Sequence, residues 1–284
     1  MDTETLFQDF ERKNRQEISE LVKKFVVDDL FIAVPDLMKT ASIIVTGSVA
    51  NGTYDKDSDI DLTIIFYDEE GLLNGRGPLL NEFKGENLKT KKKPIELHGQ
   101  SIVWFDRLHD DMKSWKKDWL LAEMKDALII YDPENKIRLL QDEFDWYPDE
   151  IYREKMRWLF AEATFLLFDR YSIAMGRKSV YYSEMTKLKI VGHFMSCLLM
   201  LDRRYPKSVK HLQKDILKIE HIPSEIIRCI DEVLVEREFG KIFDSLRLGR
   251  SMIEDILINR SLIRKESEEY WAGFRSEYMV EIEN

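Results

Sequence analysis

Cysteine is scarce in this chain of 284 residues, which contains only Cys197 and Cys229. Two cysteines are too few for a disulfide framework or for a metal site built on cysteine ligands. Both lie in apolar segments with helical spacing, where a cysteine usually acts as a small buried hydrophobic residue. We therefore predict two buried thiols, and the function must rest on other side chains.

Long hydrophobic runs are also lacking. The first residues, MDTETLFQDFERKNRQE, have neither the basic start nor the apolar core of a signal peptide. The longest apolar stretch, near residues 193–201, is far shorter than the ~20 residues that cross a bilayer as a helix. These absences predict a soluble, cytoplasmic protein without a membrane partner.

Positive charge is in deficit, because 43 lysines and arginines face 53 aspartates and glutamates, for a net charge of -10. A broadly basic surface for nucleic acid is therefore not expected. The basic run Lys89–Lys93 lies in a charged, glycine-containing stretch, 68–93, that has the composition of a mobile loop. Nucleic acid is accordingly not the expected partner.

Glycine and proline are few, at 12 and 7 residues, and seven of the glycines lie in the first 99 residues. This uneven distribution predicts two halves of different architecture. An amphipathic pattern at 3–27 predicts one or two helices. Short β-branched runs at 42–46 and 60–66 predict buried strands, and 127–131 predicts a further short strand. The segment 94–105 predicts a strand or a hairpin that turns near Gly99.

Beyond residue 145 the pattern is helical. Apolar residues recur at helical spacing in five segments, 150–174, 180–203, 207–219, 223–236 and 240–264. Helices joined by such short turns predict a bundle. The expected fold class is α+β, with a small mixed β-sheet and packed helices over residues 1–140 and an all-α helical bundle over residues 145–284.

The segment from Val45 to Ile64 carries the chemistry. A predicted strand runs into Gly47-Ser48, and small residues follow. Glycine lets the backbone approach a phosphate closely, and backbone N–H groups with the Ser48 hydroxyl can serve as anion ligands. The pattern therefore predicts a phosphate-binding turn at Gly47-Ser48.

Asp59 and Asp61 flank Ile60 on the next predicted strand. Because side chains alternate along a strand, both carboxylates are expected on one face, with Ile60 and Leu62 on the other. Two charges within an otherwise apolar strand imply a compensating ligand. Mg²⁺ prefers carboxylate oxygens together with substrate phosphate oxygens. We therefore predict a Mg²⁺ site at Asp59 and Asp61 that supports phosphoryl or nucleotidyl transfer.

Gly47-Ser48, ten intervening residues and Asp59-Ile60-Asp61-Leu62 resemble the signature of the polymerase-beta-like nucleotidyltransferase superfamily. That superfamily includes the aminoglycoside and lincosamide nucleotidyltransferases. The resemblance implies a small mixed sheet with packed helices, usually followed by a helical domain. It also implies that Gly47 and Ser48 hold the phosphates of a nucleotide and that Asp59 and Asp61 bind Mg²⁺.

Active members of the superfamily usually carry a third carboxylate on a later strand. Glu96 is the candidate, because it alternates with the apolar residues Ile95 and Leu97 and could face the aspartate pair. A solvent-facing glutamate is the competing interpretation. If the catalytic strand is instead 101–105, its nearest carboxylate is Asp106. His98 shares the expected face of Glu96 and is an alternative base.

Two later segments, Tyr147-Pro148-Asp149 and Leu201–Lys210, resemble an uncharacterised helical domain that is found after such nucleotidyltransferase domains. Lys210, in its Tyr-Pro-x-x-x-Lys context, is our candidate for a cation that binds the nucleotide's phosphates. The alternatives are Lys187, Lys189 and Lys207. For each of these lysines, a solvated surface charge is the competing interpretation.

Together these features predict a Mg²⁺-dependent nucleotidyltransferase. The enzyme would move an NMP from an NTP, with ATP expected, to a hydroxyl of a small-molecule acceptor, such as an aminoglycoside-type compound, and release pyrophosphate. Transfer to protein hydroxyls is one alternative. A catalytically weak nucleotide sensor or antitoxin-like module, which keeps the fold but lacks the third carboxylate, is the other.

Overall fold

Residues 16–54, 58–74, 88–89, 94–96, 102–207 and 209–274 are described by the structure, which is a computed structural model. Its internal contacts divide the chain into two units. The first consists of Met1–Ser114 and Leu120–Asp145, and the second of Trp115–Trp119 and Trp146–Asn284. Trp115–Trp119 thus group with the second unit, a feature that the sequence pattern does not indicate.

The first unit starts with an amphipathic helix, α1 (residues 16–33). Its apolar side chains recur at helical spacing, and Val22, Phe25 and Leu30 are buried. A π-helical turn, Val26–Leu30, lies within the helix. The predicted helix is confirmed from residue 16 onward, whereas residues 1–15 lie outside the described residues. A short helix, α2 (Leu37–Thr40), leads into the first strand.

Within the described residues, six strands form one sheet. They are β1 (Ala41–Thr46), β2 (Ile60–Phe66), β3 (Leu88–Lys89), β4 (Pro94–Glu96), β5 (Ile102–Trp104) and β6 (Leu128–Tyr131). The order is β3-β4-β2-β1-β6, and β5 also pairs with β2. β1 runs antiparallel to β2 and β6, whereas β4 and β5 run parallel to β2. The predicted mixed sheet is confirmed.

One face of the sheet packs against α1. Ile43 and Val45 of β1 are in register with Ile64 and Leu62 of β2, and all four are fully buried in one hydrophobic cluster with the apolar side of α1. Side chains alternate along a strand, so the intervening residues belong to the opposite face. On that face lie Ser42, Ile44, Thr46, Asp61 and Thr63.

Two local predictions are wrong. A hairpin within 94–105 is excluded, because β4 and β5 both run parallel to β2 and therefore point the same way; Gly99 itself lies outside the described residues. The stretch 68–93 is not wholly a loop, because residues 69–74 form a helix and Leu88–Lys89 pair with β4. Its charged composition concealed these short elements, which depend on neighbouring parts of the chain.

Five further helices are described up to residue 145. They are α3 (Gly47–Asn51), α4 (residues 69–74), α5 (Phe105–Lys113), α6 (Asp118–Asp126) and α7 (Lys136–Glu143). One of them, α6, begins with two residues that group with the second unit. The carboxylate of Asp132 binds the first turn of α7, since its Oδ2 accepts hydrogen bonds from the N–H groups of Ile137 and Arg138 at 3.0 and 3.2 Å. Its Oδ1 accepts one from the Ser42 hydroxyl at 2.7 Å, which ties α7 to β1.

The second unit is helical, as predicted. Its first helix, α8 (Asp149–Phe165), continues through a π-helical turn, Leu166–Tyr171, into Ser172–Gly176. The others are α9 (Val180–Leu201), α10 (Val209–Ile216), α11 (Ser224–Val235), α12 (Phe239–Asn259) and α13 (Glu268–Gly273). The α13 helix lies beyond the predicted segments. Its start is set by the Ser267 hydroxyl, which accepts a hydrogen bond from the Tyr270 N–H.

No helix in the described ranges has the length and the apolar character needed to cross a membrane.

Candidate functional site

The carboxylate at position 61 lies at the start of β2, beside the end of β1. Thr46 and Asp61 are opposite each other in the antiparallel pair. Ile60 and Leu62 are completely buried, whereas Asp61 is only partly buried. The strand thus separates an apolar face from the face of Asp61, as the alternation in the sequence predicts. Asp59 immediately precedes β2 and is also partly buried.

Gly47 lies directly against Asp61. A Cβ atom built on Gly47 would overlap Oδ2 of Asp61 and would lie only 2.9 Å from its Cγ. The φ angle of Gly47 is +69°, in the left-handed region that side chains rarely adopt. The absence of a side chain at Gly47 therefore gives the Asp61 carboxylate its place at the turn between β1 and α3.

At the Gly47-Ser48 turn, the side chain of the preceding threonine does not cap the first backbone N–H groups of α3. Thr46 is the N-cap residue of α3, but its side chain makes no capping hydrogen bond. Its hydroxyl oxygen lies instead 3.3 Å from that of Thr63 on β2. At the other end of α3, the Gly52 N–H donates to the Ser48 carbonyl, with φ of +74° at Gly52. The turn thus offers backbone N–H groups beside a carboxylate, as a metal–phosphate site requires.

Glu96 is the register partner of Asp61 in the parallel pair of β2 and β4. That is the backbone position which the third-carboxylate hypothesis requires. The side chain of Glu96 lies outside what is described, and so does His98 altogether.

The alternative strand is at the wrong end of β2. β5 pairs with Ile64–Phe66, which are about 10–16 Å along the strand from Asp61 at ~3.3 Å per residue. Asp106 follows β5 in the first turn of α5. The strand register therefore favours Glu96 over Asp106 as the third carboxylate.

The donor set suits Mg²⁺. Asp59 and Asp61 supply hard oxygen ligands, and the missing side chain at Gly47 lets the Asp61 carboxylate lie directly against the turn. Among the described side chains, no group of three or more histidine, cysteine, aspartate or glutamate residues could hold a metal ion alone. A cation at this pair would therefore rely on substrate phosphate oxygens and on a further carboxylate.

The lysine candidates belong to the second unit. Lys187 is 1% exposed, and its Nζ lies 2.8 Å from Oε2 of Glu184 one turn earlier. The interpretation as a solvated surface charge is therefore wrong for Lys187, although it holds for Lys189, which is exposed. Lys210 lies on α10, but its side chain is not described.

A buried ion pair in the second unit was missed by sequence reasoning. Lys155 Nζ and the Tyr147 hydroxyl both donate to Oδ1 of Asp118, at 2.6 and 2.5 Å. Burial raises the pKa of Asp118 while Lys155 opposes that rise, and burial lowers the pKa of Lys155 while Asp118 opposes that fall. The available signal was helical spacing, which places Lys155 on the same buried stripe as Leu159.

Both cysteines are buried, as predicted. Burial raises the pKa of Cys197 to about 12, so its thiolate is not accessible near neutral pH.

Comparison with known families identifies two regions of the chain. Residues 27–158 match the family model described as nucleotidyltransferase domain. Residues 115–212 match a domain of unknown function (DUF4037). Together, the two matches cover the segments that carry the sequence resemblance, from Gly47-Ser48 to Lys210.

Among solved structures, the chain is similar to the crystal structure of a nucleotidyltransferase-like protein from Exiguobacterium sibiricum 255-15. The two share 11% sequence identity with a TM-score of 0.47, over 86% of this chain and 78% of that one. No protein of curated function shows significant similarity to the chain.

Proposed function

Because the chain carries a nucleotidyltransferase domain over residues 27–158, we propose that it is a Mg²⁺-dependent enzyme that transfers an NMP from an NTP to an acceptor hydroxyl. NMP transfer in general follows from the domain. Our proposal adds the metal, the nucleotide, the acceptor and the role of each residue.

The observation that carries the proposal is the contact between Gly47 and Asp61. A phosphate bound at the Gly47-Ser48 turn would lie beside the Asp61 carboxylate, because no side chain at Gly47 separates the two. The register of Glu96 with Asp61 adds a third carboxylate position to the same strand pair. Acidic and phosphate-binding groups are thus neighbours within one unit.

The roles follow from this arrangement. Asp59 and Asp61 would hold Mg²⁺, which, when bound, would neutralise charge on the phosphates and stabilise the pyrophosphate leaving group. The Ser48 hydroxyl and the backbone N–H groups of the turn orient the β and γ phosphates. Glu96 accepts the proton of the acceptor hydroxyl as its oxygen bonds to the α-phosphorus. The bond from the α-phosphorus to the bridging oxygen breaks, and pyrophosphate leaves.

We further propose ATP as the nucleotide and a small hydroxylated compound, such as an aminoglycoside, as the acceptor. The acceptor class is the one that the resemblance to aminoglycoside and lincosamide nucleotidyltransferases implies. Lys210 is proposed as a cation for the nucleotide's phosphates. A cytoplasmic location, where NTP is supplied, stays a prediction.

The experiment that tests this function is a transfer assay with nucleotides labelled at the α-phosphate. The full chain is incubated with each NTP, Mg²⁺ and a panel of aminoglycosides and other polyols, and small-molecule products and pyrophosphate are measured together. Labelled acceptor with matching pyrophosphate release supports the proposal. Label on protein instead indicates protein hydroxyls as acceptors, and nucleotide binding without pyrophosphate release supports the sensor or antitoxin-like alternative.

A further inference from the structure

Three arginines of the second unit, Arg153, Arg203 and Arg260, are gathered at one place by contacts between separate chain segments. Arg153 Nη1 donates to the Ser261 carbonyl at 2.8 Å. Arg260, the neighbour of Ser261, donates from its Nη1 to the Leu201 carbonyl at 2.8 Å. Arg203 follows two residues after Leu201, so a chain of backbone contacts joins all three. We call this cluster the arginine site.

Two aromatic rings connect Arg203 with the segment that carries Arg153. The Arg203 guanidinium lies 5.5 Å from the centre of the Trp146 ring. Trp146 in turn lies 5.7 Å from the ring of Tyr152, which directly precedes Arg153. Both rings are only partly buried, so they contribute polar and stacking surface to the arginine site.

No ion pair within the described residues involves the arginine site. Within the described ranges, none of the three guanidinium groups has a carboxylate partner within 4.0 Å. The nearest acidic neighbours in sequence are engaged elsewhere, since Asp202 pairs with Arg204 and His221 at 2.7 and 2.9 Å. Glu154 pairs with Arg157 at 3.2 Å. The three guanidinium groups therefore have no ion-pair partner within 4.0 Å among the described residues, although the chain has a net charge of -10.

The electrostatics at Tyr152 agree with this geometry. Burial raises the pKa of its hydroxyl, whereas the charges of Arg260, Arg203 and Arg153 each act to lower it. All three guanidinium groups are thus close enough to influence one hydroxyl. In addition, Arg203 and Ser261 both have φ of +56°, a conformation that residues other than glycine rarely adopt. The backbone is held against its preference where the arginines converge.

We propose that the arginine site binds the phosphate group of a small organic phosphate. Guanidinium forks match phosphate oxygens in pairs, and a tyrosine hydroxyl can donate a further hydrogen bond. Three cations and a hydroxyl offer more donors than a single carboxylate accepts, so a phosphate dianion fits them better. The arginine site consists of residues of the second unit alone.

The proposal is tested by titration calorimetry of the full chain with inorganic phosphate, in buffer of low ionic strength without Mg²⁺ or acceptor. Arg203→Gln and Arg260→Gln should each weaken phosphate binding about tenfold or more, the loss expected for one charged hydrogen-bonding group. Arg203→Lys keeps the charge but loses the fork, so its affinity should lie between those of the native chain and Arg203→Gln. Arg177→Gln, at an exposed arginine of the same unit outside the cluster, makes the same change in net charge and should leave binding unchanged.

Several results would overturn the proposal. One is that the native chain shows no saturable phosphate binding. Another is that Arg177→Gln loses as much phosphate binding as Arg203→Gln and Arg260→Gln. Thermal melting of each variant checks that folding is retained, since Arg260 also holds a backbone carbonyl. AMP that competes with inorganic phosphate supports a small organic phosphate as the ligand. An RNA oligonucleotide that binds where phosphate and AMP do not would contradict that ligand class. Because these titrations contain no Mg²⁺, their failure is distinct from failure of the proposed transfer reaction.

Discussion

Gly47 and Asp61 are in such close contact that a methyl group on Gly47 would occupy the position of the Asp61 carboxylate. The two residues come from adjacent ends of β1 and β2, which are joined by the register of Thr46 with Asp61. The glycine therefore has two requirements to satisfy, a left-handed φ angle and space for a carboxylate. A second glycine, Gly52, has the same kind of φ angle without a neighbour to displace.

Comparison of alanine variants at Gly47 and Gly52 distinguishes these two requirements. Gly47→Ala should lower the free energy of unfolding by about 1–2 kcal/mol for the left-handed backbone and should also abolish nucleotidyl transfer, because Asp61 is displaced. Gly52→Ala is the matched control. It carries a similar backbone cost, but no atom of the described residues lies within 4 Å of its added Cβ, so transfer should persist. Urea denaturation and the transfer assay measure the two effects, and equal activity in both variants would contradict the account.

Glu96 can be distinguished from Asp106 by substitution. Glu96→Gln should reduce the transfer rate by about 10²–10⁴-fold, the usual contribution of a general base, with little effect on nucleotide binding. Asp106→Asn should stay close to the native rate, because β5 pairs with the far end of β2. Single-turnover rates with saturating nucleotide make the comparison. A larger loss in Asp106→Asn than in Glu96→Gln would reverse the assignment.

The buried pair of Asp118 and Lys155 should matter for stability. Lys155→Met leaves the Asp118 carboxylate buried beside the Tyr147 hydroxyl without its cation, so the free energy of unfolding should fall by about 3–5 kcal/mol. The double variant Asp118→Asn/Lys155→Met removes both charges and should recover most of that loss. Urea denaturation near neutral pH gives the values. A double variant as unstable as Lys155→Met alone would show that the charge pairing is not the cause.

His193 predicts a loss of stability in acid. Burial lowers its pKa to about 4, with a smaller effect of Lys189 in the same direction. The unfolded chain, with a pKa near 6.5, therefore binds the proton first, and stability falls as the pH drops from about 6.5 towards 4. Between about pH 7.5 and pH 5, the native chain should lose about 2 kcal/mol more than His193→Gln. Equal losses in the two proteins, measured by urea denaturation, would show that His193 does not titrate in this way.

Local sequence patterns predicted the elements that position the candidate site. The alternation through Ile60, Asp61 and Leu62 predicted both the strand and its two faces, because a buried strand repeats every two residues. Helical spacing likewise predicted the helices of the second unit. These features depend on neighbours in sequence, so they can be recognised before the fold is known.

Contacts between distant segments could not be predicted in the same way. The strand character of 94–105 was predicted, but the hairpin option failed because β4 and β5 each pair with β2, a relationship that no local pattern records. Asp118 and Lys155 are 37 positions apart, and the three arginines of the arginine site come from three separate segments. For Lys187, the competing interpretation as a solvated surface charge failed, because Glu184 one turn earlier provides a partner for the buried ammonium group. Charged residues are therefore where the structure adds most to the sequence.

We propose above all that Asp59 and Asp61 support metal-dependent transfer at the Gly47-Ser48 turn. The most direct measurement compares Mg²⁺-dependent transfer of an α-labelled NMP by the native chain, Asp59→Asn and Asp61→Asn. Asp68→Asn, at an exposed aspartate beyond the other end of β2, is the matched control for charge. We expect the transfer rate to fall by at least about 100-fold in both site variants, while both stay folded and the control stays active. Native transfer rates in either Asp59→Asn or Asp61→Asn would contradict it.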